Sequence, residues 1–374
     1  MSLEGARQHV PKRDSFTLTS LATILPQCII GSGGFAEVLL VKIDDIPFLC
    51  VLKKMLRVAD HRVIKGCRKE FKMQRKLFNN PKCFNRIPRP LYILDLLDSD
   101  FKGVYGFLME FCLGGSVRAF AKGWCADNRY IRVEEREDSD DSSSDSSSDA
   151  SSIHIHFDSM LLNPVKVSAL CVGMIECLDD VFTAKPRLIH RDIKPDNFLV
   201  RADPESKKCT IVLSDLGIAQ IQNSISSSSV VKSFASSTLL SSSSSQPHKE
   251  DPSICGTLVY NSCEALQGMH SQESDAYSLG MTILAVFEGC DPFFHSPVLQ
   301  GLKNRVEFAT KLRNSILEGL GPKLSNSCLF RSLQTIEGGK YTPVFECLND
   351  VFEGLTKVDI GKRMSVHKAR ERVQ

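Results

Sequence analysis

The segment Leu188-Ile189-His190-Arg191-Asp192-Ile193-Lys194-Pro195-Asp196-Asn197-Phe198-Leu199-Val200 constrains this chain more than any other. An apolar pair leads into a dense polar cluster, and a strand-like Phe-Leu-Val follows. Pro195 has no backbone N–H to donate and holds its φ, so the cluster is a stiff loop and not a helix. The loop offers a carboxylate (Asp192), a cation two residues on (Lys194) and an amide oxygen five residues on (Asn197). That set suits transfer of a phosphoryl group to a hydroxyl. The carboxylate can orient the hydroxyl and accept its proton, the cation can sit on the moving phosphate, and the amide can hold Mg²⁺.

The segment resembles the catalytic loop of eukaryotic protein kinases, H-R-D-x-x-x-x-N, in the form I-H-R-D-I-K-P-D-N. The resemblance implies an α+β, bilobal kinase fold. An N-terminal five-stranded antiparallel sheet with one key helix would precede a mainly helical C-terminal lobe, with ATP and Mg²⁺ in the cleft. The resemblance covers about residues 24–374. It divides them into an N-lobe at about 24–109, a hinge at 110–113 and a C-lobe at 114–374, after a tail at 1–23.

Upstream, two β-type runs bracket Gly31-Ser32-Gly33-Gly34-Phe35-Ala36. Glycines let backbone amides approach and donate to phosphates, although an ordinary hairpin turn has the same composition. No Gly-Lys-Ser/Thr occurs there, which excludes a P-loop. The run resembles the kinase pattern G-x-G-x-x-G-x-V, with Ala36 at the third glycine and Val38 at the valine. By that resemblance, residues Ile30 to Ala36 and Val38 cover the nucleotide. Cys50-Val51-Leu52-Lys53 stands for V-A-I-K, so Lys53 would hold the α- and β-phosphates.

Residues 61–78 carry a helical apolar stripe of Val63, Ile64, Cys67, Phe71 and Leu77. Glu70 lies on this helix, 17 residues after Lys53. Most glutamates so placed are solvated; the resemblance makes Glu70 the ion-pair partner of Lys53. Four residues on, the family usually has an apolar residue, and this chain has Gln74. Runs at 91–95 and 105–111 complete five strands. Met109-Glu110-Phe111-Cys112 resembles the hinge, where backbone groups of Glu110 and Cys112 would bind adenine beside Met109.

Past the catalytic loop, Phe198-Leu199-Val200 and Ile211-Val212-Leu213 read as a hairpin. Ser214-Asp215-Leu216-Gly217 then resembles D-F-G, which makes Asp215 the main Mg²⁺ ligand. Gly256-Thr257-Leu258-Val259-Tyr260-Asn261-Ser262-Cys263-Glu264 resembles G-T-x-x-Y-x-x-P-E, with Cys263 where the proline would be. By the same resemblance Thr257 bonds Asp192 and Lys194, Asp275 supports the catalytic-loop backbone, and Glu264 pairs with Arg363. Arg191 would clamp a phosphate on the activation segment, with Ser253 as its acceptor. Lys194 and Thr257 resemble the Ser/Thr-specific form, so the expected partners are proteins bearing Ser or Thr. The competing reading is a pseudokinase scaffold, whose usual mark is loss of Lys53, Asp192, Asn197 or Asp215; all four are present. A small-molecule kinase is a third reading, against which Gly256 to Glu264 resembles a peptide-docking platform.

Composition bounds the rest. Residues 134–149 hold eight acids and one base, so the remainder of a chain of net charge +2 has nine more bases than acids. No basic run or aromatic-interleaved patch stands out, which argues against nucleic acid. Residues 139–152 contain nine Ser and four Asp, and residues 224–245 contain 13 Ser. Stretches of this kind bury too little apolar surface to offset their ordering entropy, so inserts at about 134–155 and 221–250 should be disordered. The longest apolar run, near Leu279 to Phe287, is too short to span a membrane. The first 16 residues have no apolar leader region and none of the 14 cysteines is in a C-x-x-C pair, which predicts an intracellular chain with reduced thiols. A regulatory partner is compatible with all of this.

Overall fold

A computed structural model describes residues 23–34, 36–42, 49–57, 60–96, 104–122, 164–202, 208–222 and 254–374. The first 22 residues, Phe35, Ser253 and the Ser-rich stretches at 134–155 and 223–250 lie outside them.

Strands β1 (Thr23–Ser32), β2 (Ala36–Lys42), β3 (Cys50–Met55), β4 (Pro90–Leu96) and β5 (Val104–Glu110) form one antiparallel sheet in the order β1-β2-β3-β5-β4. Two separate packed clusters bury its faces, one containing Val41, Leu52 and Leu108, the other Met55, Phe71 and Phe107. This follows from the strand period of two, which sends alternate side chains of β5 to opposite faces.

Helix α1 (His61–Phe78) packs on the second face. Asp60 caps it by accepting from the Arg62 amide at 2.8 Å. Its stripe is less apolar than the sequence suggests, because Glu70 and Gln74 are buried alongside Cys67, Phe71 and Leu77. The Gln74 amide donates to the Pro88 carbonyl at 3.0 Å and touches Met109 Sδ at 3.7 Å. A polar residue thus fills the place expected to be apolar, and a hydrogen bond offsets its burial.

The second half is mainly helical. It contains α2 (Pro164–Ala184), α3 (Gln272–Glu288), α4 (Arg305–Leu317), α5 (Cys328–Thr335), α6 (Thr342–Leu355) and α7 (Val366–Val373). Every residue from Ser274 to Phe287 of α3 is buried, so this helix runs through the core of this half. Phe287, Phe330 and Phe345 meet edge to face, with centroids 5.4–6.1 Å apart. Two short two-stranded sheets complete this half: β6 (Leu188–Ile189) pairs with β9 (Gln220–Ile221), and, between them in sequence, β7 (Phe198–Ala202) with β8 (Cys209–Leu213) as a hairpin. Residues His190 to Asn197 lie between β6 and β7.

Among the described residues, Cys50, Cys67, Cys83, Cys112, Cys171, Cys177 and Cys263 are buried free thiols. Burial pushes the thiols of Cys50, Cys67 and Cys171 up to about 12, so they act as small neutral core residues. No described helix is long and apolar enough to cross a membrane.

Candidate active site

The site is built where the sheet's third strand, helix α1 and the two small sheets β6–β9 and β7–β8 converge. Lys53 sits on β3 opposite Val38 of β2 and Phe107 of β5. Its Nζ lies 2.7 Å from Glu70 Oε1 and 2.8 Å from Asp215 Oδ1. Burial opposes the lysine's charge, but the two carboxylates outweigh it and hold the ammonium above the ordinary lysine range. Asp215 is differently placed from Glu70: its side chain is 45% exposed, against 5%. What burial Asp215 has raises its pKa, and the Lys53 charge more than reverses this, so the carboxyl stays below its usual range. Asp215 adopts φ 58, a left-handed turn conformation uncommon outside glycine.

A second network surrounds Asp192. Its Oδ1 accepts from both the amide and the hydroxyl of Thr257, each at 2.9 Å. Its Oδ2 accepts from Asn197 Nδ2 at 3.2 Å and lies 2.8 Å from Lys194 Nζ. Lys194 also donates to the Thr257 hydroxyl at 2.9 Å, closing the ring expected from the sequence. A carboxylate held from both sides in this way can align a hydroxyl and take its proton. Ser214 connects the two networks: its amide and hydroxyl both donate to the Asn197 carbonyl, at 2.8 and 3.0 Å, and Asp215 follows it in sequence.

The loop's own backbone is held from beneath. Asp275 on α3 accepts from the amides of His190 at 2.6 Å and Arg191 at 2.9 Å. Burial pushes the Asp275 carboxyl up to about 7 even against these two donors. Arg191 has φ 73, and the Asp275 bonds stabilise that conformation, which is unfavourable for a residue with a Cβ. Gly256, at φ 75, lies against it: a Cβ there would sit 2.2 Å from the Arg191 carbonyl oxygen. His190 is fully buried. Its Nε2 donates to the Ser214 carbonyl at 3.1 Å and its Nδ1 faces the Asp192 amide at 3.4 Å, an arrangement only the neutral ring satisfies.

The remaining expected residues fall into three places. Gly31 and Ser32 end β1, paired with Val38 and Glu37 of β2, and Gly33 and Gly34 lie in the turn after them, with the Gly33 amide donating to the Ala36 carbonyl at 2.9 Å; Ile30 is exposed. Met109 and Glu110 end β5, and Cys112 follows, buried. The Glu110 amide is occupied by the Arg89 carbonyl at 2.9 Å, whereas the Cys112 amide has no hydrogen-bond partner among the described residues. Arg191 stands apart from the Asp192 ring: its Nη1 donates to Gln220 Oε1 at 3.1 Å, and its buried Nε has no partner among the described residues.

Two arginines had no signal in the sequence. Arg201 on β7 donates to Glu110 Oε1 at 2.6 Å through Nε, and to the Asn85 and Ile87 carbonyls at 3.1 and 2.8 Å. Arg118, shortly after β5, bonds Asp196 in the loop between β6 and β7 at 3.2 Å and also Tyr260 and Asp291. A lone basic residue at a strand end or in a short helix looks solvated until its partners are placed around it.

The oxygen donors fit Mg²⁺. Asp215 is partly open to solvent, and Asn197 turns its amide nitrogen to Asp192, leaving Oδ1 as its coordinating atom. No group of three or more His, Cys, Asp or Glu is arranged to hold a metal among the described residues. Two oxygen ligands suit a Mg²⁺ that takes its other ligands from water and phosphate.

Comparison with known proteins agrees. The chain aligns with the human serine/threonine-protein kinase PAK 4 at 26% identity over 167 residues, 44% of this chain and 21% of that protein. A probable serine/threonine-protein kinase of Clostridium perfringens, CPE1738, is 27% identical over 169 residues, 45% of this chain and 21% of that protein. A probable serine/threonine protein kinase of Arabidopsis thaliana, IRE, is 31% identical over 111 residues, 28% of this chain and 10% of that protein. The alignments thus span about a fifth or less of these relatives' length. The sequence model of the protein kinase domain matches residues 26–373, and the chain belongs to the protein kinase family.

Proposed function

We propose that the chain is an ATP-dependent protein serine/threonine kinase, transferring the γ-phosphoryl group of ATP to Ser or Thr hydroxyls of protein substrates inside the cell. The observation that carries this reading is the ring Asp192–Thr257–Lys194–Asn197, tied through Ser214 to Asp215 and Lys53. Lys53, fixed by Glu70, holds the α- and β-phosphates. Asp215 and Asn197 would hold Mg²⁺, which would supply positive charge to offset that of the phosphates. The glycine-rich segment around Gly31 to Gly34 and Val38 covers the phosphates, and backbone groups of Glu110 and Cys112 take the adenine beside Met109. Asp192 orients the substrate hydroxyl and accepts its proton as the phosphoryl group leaves ADP. Lys194 steadies the moving charge. Arg191, with its unpartnered Nε, is the receptor for a phosphate at Ser253.

A phosphotransfer assay with purified full chain, ATP·Mg²⁺ and a generic protein acceptor tests the reading. Transfer should fall at least about 10²-fold in Asp192→Asn and in Lys53→Met. Nucleotide binding without transfer in the unmutated chain would replace this reading with that of a scaffold.

A further inference from the structure

Helix α1 (His61–Phe78) carries seven bases and a single acid, Glu70. Glu70 is buried on the inner face against Lys53 and cannot offset the others. Lys65, Lys69, Lys72 and Lys76 follow a 4-3-4 spacing, which places them on one stripe about 17 Å long. All four are exposed, and an open groove with Ile64 and Met73 runs along them. Lys69 donates to the Ala219 carbonyl at 3.2 Å. Lys65, Lys72 and Lys76 have no acidic partner among the described residues. Like charges four residues apart repel, so this helix holds an uncompensated cationic face.

We propose that this face docks the chain's own acidic stretch, residues 134–149. Its eight acids against one base complement the lysine row and its neighbours Arg68 and Arg75. The tether is long enough. Residue 149 lies 15 residues before Pro164, where α2 begins. Helix α2 runs about 30 Å to Ala184, whose carbonyl accepts from Asn80 Nδ2 at 3.1 Å, four residues beyond Lys76. Fifteen extended residues span up to about 50 Å, so the stretch reaches the row's end, and tethering supplies an effective concentration on the order of mM. Because the face belongs to the helix that carries Glu70, docking also steadies the Glu70–Lys53 contact. None of this depends on phosphoryl transfer.

The test is the chain lacking residues 134–149, titrated with a synthetic peptide of that sequence at 50 and 300 mM NaCl. Saturable binding should weaken at least tenfold at the higher salt. It should weaken at least tenfold again in Lys65→Glu/Lys72→Glu/Lys76→Glu, whose helicity is checked by circular dichroism. The same three lysines changed to Gln give a second variant if that one misfolds. In the full chain, these lysines should resist amine acetylation more than in the deletion chain. The proposal is overturned if the peptide does not bind at low salt, if binding ignores the lysine changes, or if acetylation is equal in the two chains. It is also overturned if an RNA oligonucleotide binds the full chain as tightly as the deletion chain, since the face would then be vacant in the native protein.

Discussion

The side-chain amide of Gln74 donates to the carbonyl of Pro88 at 3.0 Å, inside the seam between α1 (His61–Phe78) and the sheet. Gln74 is 2% exposed, so removing the donor leaves a buried carbonyl without a partner. Gln74→Ala removes the bond and leaves a cavity, and should cost about 3 kcal/mol. Gln74→Leu keeps the volume and gains apolar burial, so its cost should be about 1 kcal/mol. Urea unfolding should rank the native chain first, Leu second and Ala last; a Leu variant above the native chain would mean the bond contributes less than the apolar gain.

Gly256→Ala should be far more harmful than its size suggests. The new methyl meets the Arg191 carbonyl at 2.2 Å, and φ 75 is itself unfavourable with a Cβ. The loss should be at least about 2 kcal/mol of stability. The rate of transfer should fall more than ATP affinity, because the displaced backbone carries Asp192 and not Lys53.

His190 predicts acid sensitivity. Burial holds its pKa below the ordinary value, so the folded chain keeps the ring neutral while the unfolded chain takes up a proton near pH 6.5. The unfolded state therefore binds more protons below that pH, and stability falls as the solution is acidified. Asp275 acts in the opposite sense. Its carboxyl is pushed up to about 7, so charging it costs stability as pH rises from about 4 to 7. Comparing melting temperatures of the native chain and His190→Gln between pH 7.5 and 5.5 isolates the first effect: the variant should lose less on acidification.

Glu264 and Arg363 form a fully enclosed ion pair, with the guanidinium also donating to the Glu273 and Lys357 carbonyls at 2.9 and 2.8 Å. Arg363→Met alone strands the buried Glu264 carboxylate and should cost about 3–5 kcal/mol. Adding Glu264→Leu should recover a large part of that loss. Equal instability of single and double variants would show that the carbonyl contacts, and not the carboxylate, set the cost.

The parts of this protein legible in its sequence are those whose chemistry is concentrated in short stretches. The loop from His190 to Asn197 names its base, cation and amide together, and the strand–turn–strand around Gly31 to Ala36 marks the start of the sheet. Contacts between distant, chemically ordinary residues were not legible. Arg201 finds Glu110 across 91 residues, and Arg118 finds Asp291 across 173. Gln74 read as a departure from pattern because sequence shows the loss of an apolar side chain but not the carbonyl that receives the replacement. The lysines at 65, 69, 72 and 76 are never adjacent, so no basic run stands out; only the turn of the helix aligns them.

Arg201 stitches three segments with one guanidinium: the end of β5 through Glu110, the link between α1 and β4 through Asn85 and Ile87, and its own hairpin in the helical half. Such a rivet makes the Glu110 side of the junction between the two halves a pinned edge. Any relative movement of the sheet and the helical half should therefore be smallest beside Arg201 and grow with distance from it.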